Sequence, residues 1–450
     1  MTSLTLAIVF AFIVGYFFIA IESFTKVNKA AIALLTLVVC WTLFMFGAGD
    51  YLPGLSGDDL YNQASSAIEK HLGSTSTTLF FLMGAMTIVE IVDQNGGFDF
   101  VRKALHTTSE RKLLWQIAFM TFFLSAILDN MTTAIVMIMI LRKLVSKHED
   151  RIIFASLVII AANAGGAFSP IGDVTTIMLW NKGVITPLGV ISEVFVPSVV
   201  SLVVPVLIMQ YSLKGRLVTS DSNLKIDSHV FEFDDFQRKV IFFLGVGGLI
   251  FVPIFKSITH LPPFVGILFV LAILWIVSEI FYRNHHHTNA GMNNRVSNLL
   301  SKIDLSTILF FLGILMAVSC LEQVGVLQTL GTWLNQVSNG NHYIVTGVIG
   351  LVSSVVDNVP LVAGCMGMYP IQAVGDMAVD GIFWQLLAYC AGVGGSILII
   401  GSAAGVVVMG LEKITFGWYM KHVSWLALVG YLSGILSYWL IRAFLFTASL

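Results

Sequence analysis

The sequence predicts an all-α polytopic membrane protein built as two inverted repeats, each with about five transmembrane helices, one of them broken, plus a re-entrant helical hairpin. Three observations predict it. Hydrophobic residues make up 57% of the 450 positions and charged residues 11%, with a mean hydropathy of +0.88, a composition that excludes an ordinary soluble enzyme. Apolar runs near twenty residues long recur along the chain. The dipeptide Asp-Asn occurs twice inside such sequence, in Ser125-Ala-Ile-Leu-Asp129-Asn130 and Ser353-Ser354-Val-Val-Asp357-Asn358, 228 positions apart.

The neighbours of the two copies keep nearly the same spacing. Leu79-Phe80-Phe81-Leu82 recurs as Leu309-Phe310-Phe311-Leu312, and Gly165-Gly166 with Gly172 recurs as Gly394-Gly395 with Gly401. The first repeat is therefore set at 1–213, a linker at 214–237 and the second repeat at 238–450. Spans are expected at about 4–21, 28–47, 76–94, 189–213, 238–255, 262–282, 305–324 and 421–446. The first run has no preceding positive region and reads as a span rather than a signal peptide. The runs at 151–181 and 382–412 are too long and too rich in glycine for straight helices and are expected to be broken spans. Segments 112–147 and 341–375 are apolar on both sides of Asp-Asn, and each suits a helical hairpin with arms of about sixteen to eighteen residues.

Five crossings and one hairpin give each half an odd count, so the second half must insert upside down relative to the first. The basic residues test this. With both termini outside, the inner side holds Lys26, Lys29, Arg102, Lys103, Arg111, Lys112, Arg142, Lys143, Lys147, Arg151, Lys214, Arg216, Lys225, Arg238, Lys239, Arg283, Arg295, Lys302, Lys413 and Lys421, which is 20 of 24. Lys70, Lys182, Lys256 and Arg442 are left outside, a strong positive-inside bias. The hairpins should enter from opposite faces, because the base of the first is rich in cations and the base of the second has none. The polar stretch 214–237 is expected to be an inner linker, and His285-His286-His287 a solvated loop. Cys40, Cys320, Cys365 and Cys390 lack metal-ligand spacing and read as packing residues.

The candidate chemistry lies at the breaks. A carboxylate at bilayer depth costs ~2.5–3.5 kcal/mol on insertion scales, and intramembrane acids mark ion pathways. Asp129 and Asp357 each carry that cost at matching tips. Asn130 and Asn358 would serve as helix caps, but a cap needs only one neutral polar residue, so paired acids favour function. The first broken span, Asn163 through Gly165-Gly166, Ser169-Pro170 and Gly172-Asp173 to Thr175-Thr176, crowds polar groups and helix breakers together. Unwound carbonyls there can face a cavity. Its twin carries Ser396 and replaces Asp173 with Ser402. Glu90, Thr132 and Ser402 are secondary candidates, and hydroxyls such as Ser353 and Thr132 can equally satisfy themselves on helical carbonyls. The donor set of carboxylate, amide, hydroxyl and carbonyl oxygens suits a hard cation such as sodium, held by Asp129, Asp357 and Asp173 in transit.

No lysine or arginine is expected near either Asp-Asn tip, which disfavours an anionic substrate. Desolvation favours the neutral form of a buried carboxyl, so a proton and a metal cation would compete for one cluster and exchange would follow. The rival readings are a sodium-coupled carrier of a small anion of dicarboxylate or arsenite type, an intramembrane hydrolase using Asp129 and Asp357 as a dyad, and a passive channel. No catalytic motif supports an enzyme, and no cofactor or nucleic-acid partner is indicated.

Two inverted halves, polar-tipped hairpins and Gly-rich broken spans resemble the ion transporter superfamily. Within it, Ser125 through Asp129-Asn130-Met-Thr132-Thr133, Asn163 through Asp173-Val-Thr175-Thr176, and Ser353-Ser354-Val-Val-Asp357-Asn358-Val-Pro360 resemble the NhaD-type sodium/proton antiporters. Dicarboxylate carriers of the superfamily place Ser-Asn-Thr at the tips, so aspartate in both copies departs from that branch. The resemblance implies exchange of sodium or lithium for protons across a bacterial inner membrane, by a homodimer with mobile transport domains. It carries binding roles onto Asp129, Asn130, Asn163, Asp173, Thr175, Thr176, Ser353, Asp357, Asn358 and Ser396.

Overall fold

Every described element of the computed structural model is helical, and the description covers residues 2–20, 25–97, 107, 109–145, 147–212, 233–284, 296–355 and 357–446. Most of the expected 214–237 linker and the His285–His287 run fall outside the described residues. In chain order the principal helices are α1 (Ser3–Ala20), α2 (Lys29–Phe46), α3 (Gly57–Gln94), α4 (Glu110–Leu128), α5 (Asn130–Leu144), α6 (His148–Ala167), α7 (Val174–Lys182), α8 (Pro187–Ser212) and α9 (Asp235–Thr259). They continue as α10 (Pro263–Asn284), α11 (Leu305–Gln323), α12 (Val326–Val337), α13 (His342–Ser353), α14 (Asn358–Met368), α15 (Ile382–Gly394), α16 (Ala403–Glu412), α17 (Phe416–His422) and α18 (Ser424–Ile441). Among the described residues, nine helices are long and apolar enough to span a membrane. The protein is a multi-pass membrane protein.

The breaks fall where the sequence places them. The first Asp-Asn interrupts helix at Asp129 alone, and the second separates α13 from α14. Both long Gly-rich runs are broken, α6 from α7 at residues 168–173 and α15 from α16 at residues 395–402. Two boundaries and one element differ from expectation. Helix α3 begins at Gly57, not near 76, and its 38 residues extend about 57 Å. The apolar run marks only its membrane part, whereas Asp58 and Asp59 in the first turn favour the helix N-terminus. The second arm of the second hairpin is 11 residues and stops at Met368 rather than 375. Pro370 explains the stop, because proline forces its predecessor into extended backbone, and Tyr369 has φ −123°, ψ 125°. The amphipathic α12 was not expected, since its twelve residues fall short of a span.

The helices pack in two groups. In one, α2 lies on α1 and α11, while α3 lies on α9, α10 and α11. In the other, α4 and α5 lie on α6, α5 also meets α16, α13 lies on α15, and α8 joins α6, α15 and α18. Helix α14 belongs between them, touching α7, α11 and α12.

Glycine makes the second group possible. A Cβ at Gly165 would stand 2.1 Å from the Phe122 carbonyl oxygen, and one at Gly394 would stand 2.2 Å from the Gly350 carbonyl oxygen. The broken helices therefore touch the first arms backbone to backbone, the close approach that small residues allow in membranes. Hydroxyls fasten both contacts: Ser125 Oγ donates to the Ala162 carbonyl at 2.6 Å, and Ser353 Oγ to the Ala391 carbonyl at 2.8 Å. The four cysteines are buried and unpaired.

Candidate cation site

Four half-helices, α5, α7, α14 and α16, begin at the breaks, and each is capped by its own side chain. Asp129 Oδ1 accepts from Thr132 N at 2.8 Å, Asp173 Oδ1 from Thr175 N at 3.0 Å, and Asp357 Oδ1 from Val359 N at 3.1 Å. Ser402 Oγ accepts from Gly405 N at 3.2 Å. Asp173 and Ser402 have nearly the same backbone, φ −146°, ψ 149° and φ −144°, ψ 155°. The twin positions are thus one capping device, with a carboxylate in the first half and a hydroxyl in the second. A capped helix start holds negative charge well, since N–H groups and the helix dipole both face it.

Asp173 is the centre of the polar network. It is 1% exposed, and both tips reach it. Asn130 Nδ2 donates to Asp173 Oδ2 at 2.7 Å, and Asn358 Nδ2 donates to the same oxygen at 3.2 Å. Asn130 Nδ2 also donates to Asn163 Oδ1 at 3.1 Å, and Asn163 Nδ2 donates to Ser402 Oγ at 2.9 Å. One hydrogen-bonded set therefore joins both tips to both broken helices. Thr176 Oγ1 donates to the Asp173 carbonyl at 2.9 Å, and Thr175 is buried beside it.

Asp129 and Asp357 stand apart from this network, one step nearer water. Together with Asn130 they line a cavity of about 340 Å³, whose walls include Lys29, Leu82, Val174, Asp304 and Phe311. Among the described residues no three His, Cys, Asp or Glu side chains group closely enough to hold a metal ion. Asp129, Asp173 and Asp357 each head a different helix. An ion bound here would complete its shell from amide, hydroxyl and carbonyl oxygens.

The tips differ in two respects that sequence reasoning missed. Asp129 has φ 80°, ψ 160°, backbone that only glycine adopts readily, at a cost of ~1–3 kcal/mol. Its side chain holds the turn through Thr132, whose hydroxyl donates to Asp129 Oδ2 at 2.8 Å. Asp357 is unstrained at φ −48°. The expectation of no basic residue near a tip is corrected: Lys29 Nζ lies 4.0 Å from Asp357 Oδ2. Lys29 counts among the inner-side cations, yet as the first residue of α2 it extends a long side chain to the tip. Its place at the head of an apolar run was the available signal.

The remaining candidates are more peripheral. The Ser353 hydroxyl is engaged with Ala391, and Ser396 Oγ donates to the Val393 carbonyl at 2.6 Å, closing its own turn. Glu90 is half-buried on α3 and lines neither this cavity nor the one described next. That second cavity, of about 650 Å³, lies among Lys70, His71, Thr78, Met178, Lys182, Leu315 and Glu322. Along α3, α7 and α11 the two cavities are one helical turn apart, Leu82 against Thr78, Val174 against Met178, and Phe311 against Leu315. Four residues of helix rise about 6 Å, so the partition is thin.

Charge clusters mark the two ends of the second group. Glu412 at the end of α16 receives Arg142 Nε at 2.7 Å and Arg151 Nε at 2.8 Å. At the other end Glu193 accepts from Tyr438 Oη at 2.8 Å and from Arg442 Nε at 3.1 Å.

The chain is similar to known transport proteins. The citrate transporter family model (CitMHS) matches residues 16–387. "Sodium/proton antiporter 1" of Arabidopsis thaliana is 44% identical over 432 residues, covering 96% of this chain and 72% of that protein. "Sodium/proton antiporter 2" of the same plant is 39% identical, covering 96% of this chain and 98% of that protein. The "Na(+)/H(+) antiporter NhaD" of Vibrio cholerae is 29% identical, covering 97% and 91% respectively.

Proposed function

The chain belongs to the citrate transporter (CitMHS) family and is an ion transporter of the NhaD type, not an enzyme, and on that premise we propose that it exchanges sodium or lithium for protons by alternating access. The observation that carries the reading is the capping of all four half-helix starts by their own side chains. A bare helix N-terminus is a ready anion site, and three of these four are already filled by Asp129, Asp173 and Asp357. The carboxylates repel a dicarboxylate and attract a cation. This favours antiport over the sodium-coupled anion carrier that the family name brings to mind, and the names of the three relatives favour it too.

In the proposed cycle the cation enters the cavity beside Asp129 and Asp357 and is passed to oxygens around Asp173. Protons take its place on the same carboxylates, because a carboxyl withdrawn from water is stable when neutral or when paired with a cation, and costly when bare. Loaded forms cross and empty ones do not. The one-turn partition between the cavities supports alternating access, since small movements of α5, α7, α14 and α16 would close one side and open the other. The Lys29 cavity faces inward by the positive-inside assignment, and the Lys70–Lys182 cavity outward. Re-entry of the two hairpins from opposite faces, both termini outside, and a homodimer belong to the same proposal.

The test uses everted vesicles holding a preformed pH gradient. Sodium or lithium should collapse the gradient, and Asp129→Asn and Asp357→Asn should each abolish the response at normal expression. Sodium-dependent uptake of labelled citrate or succinate without cation-driven proton movement would establish the carrier instead.

A further inference from the structure

Lys29 is used by none of the chemistry above, yet it sits inside it. Its ammonium is 4.0 Å from Asp357 Oδ2 and 4.4 Å from the centre of the Phe310 ring. The side chain is 25% exposed and lines the same cavity as Asp129 and Asp357. The two contacts come from different bodies. Phe310 lies on α11, which packs against α2 itself, whereas Asp357 heads α14 at the tip. Neither contact is tight. A charge-assisted hydrogen bond would be about 2.7–2.9 Å, and the aromatic face is a shallow resting place for an ammonium. The four-carbon stem can carry the charge between them.

We propose that Lys29 is a tethered competitor of the transported cation: its ammonium neutralises Asp357 while the site is empty, and an arriving sodium ion displaces it toward the Phe310 ring. The inference deepens the antiport reading and rests on it. Two cations cannot share one carboxylate oxygen at contact distance, so sodium at Asp357 requires the ammonium to retreat. The retreat needs no loss of its proton, since the ring accepts the charged head. Lys29 thereby sets how much sodium the site demands, and it neutralises an acid that would otherwise stand bare in the cavity. It acts as a specificity-determining residue through occupancy, without moving with the cargo.

The experiment measures equilibrium binding of radioactive sodium to the purified full-length protein at alkaline pH, where protons compete least, alongside sodium-driven proton movement in proteoliposomes. Removing the competitor should strengthen sodium binding. Lys29→Gln and Lys29→Met should each lower the half-saturating sodium concentration by about tenfold, equivalent to ~1.4 kcal/mol, and Lys29→Met keeps the stem against Phe310 if the glutamine variant folds poorly. Lys29→Arg, which restores the charge, should return the value close to wild type, as a merely structural lysine would not require. In an Asp357→Asn background, Lys29→Gln should change sodium binding no further. Unchanged or weaker sodium binding in both neutral variants, with wild-type antiport intact, would overturn the role of Lys29 and leave the antiport reading standing. A wild type with no sodium response would overturn the antiport reading and this inference together.

Discussion

The two Asp-Asn tips share a dipeptide and the position of both residues, yet they differ in conformation and in neighbours. The first is a one-residue break, with Asp129 held at φ 80° and its carboxylate closed on Thr132. The second is a longer break, with Asp357 in ordinary backbone and within reach of Lys29. Both asparagines find the same acceptor, Asp173, the first at 2.7 Å and the second at 3.2 Å. The broken helices share one capping geometry, but the first carries the acid Asp173 where the second carries Ser402. The difference suggests a division of labour. The amides converge on one buried carboxylate, while the two tip carboxylates stand at the cavity.

The largest effect should come from the acceptor that both tips share. Asp173→Asn should abolish sodium-driven proton movement, whereas Ser402→Ala, which removes only the hydroxyl twin, should retain measurable antiport in the same vesicles. Equal loss in both would mean that the two breaks are functionally equivalent and the asymmetry is incidental.

The next effect compares the asparagines. A hydrogen bond to a charged group is worth ~1.5–3 kcal/mol, so Asn130→Ala should raise the half-saturating sodium concentration about 10- to 100-fold. Asn358→Ala, with the longer bond, should raise it less. A reversed order in sodium titrations of the two variants would show that the second tip dominates.

The smallest effects concern the scaffold, where the halves are alike. Gly165→Ala and Gly394→Ala each drive a methyl group into a facing backbone carbonyl. Each should cost ~1–3 kcal/mol of stability, read as a lowered unfolding midpoint in detergent, by similar amounts. A midpoint lowered by only one of them would show that the backbone contacts are not equivalent.

Much of the fold was legible because the membrane imposes lengths and the breaks carry their own punctuation. Asp129 marks one interruption, and Gly165-Gly166 and Gly394-Gly395 lie at or beside two others, where Gly165 and Gly394 also let the broken helices meet the first arms. The 38-residue α3 was legible only in its apolar half, since lipid thickness says nothing about how far a helix continues into water. The site was legible as a list, and its ranking was not. Sequence gave first place to Asp129 and Asp357 for their repetition, while the hydrogen bonds place Asp173 at the centre. Nothing in spacing reveals that two asparagines 228 positions apart meet on one carboxylate. The Lys29 contact was hidden for a related reason, because it joins residues 328 positions apart. The positive φ of Asp129 was hidden because an aspartate there looks like any cap.

The central claim is that a metal cation and protons compete for the same carboxylates. The most direct measurement is the half-saturating sodium concentration for antiport in proteoliposomes as the pH is stepped downward, equal on both faces. Competition predicts that this concentration climbs steadily as the medium becomes more acidic, while saturating sodium still restores the full rate at moderate acidity. A half-saturating concentration that stays constant across the series, with only the maximal rate falling, would contradict it.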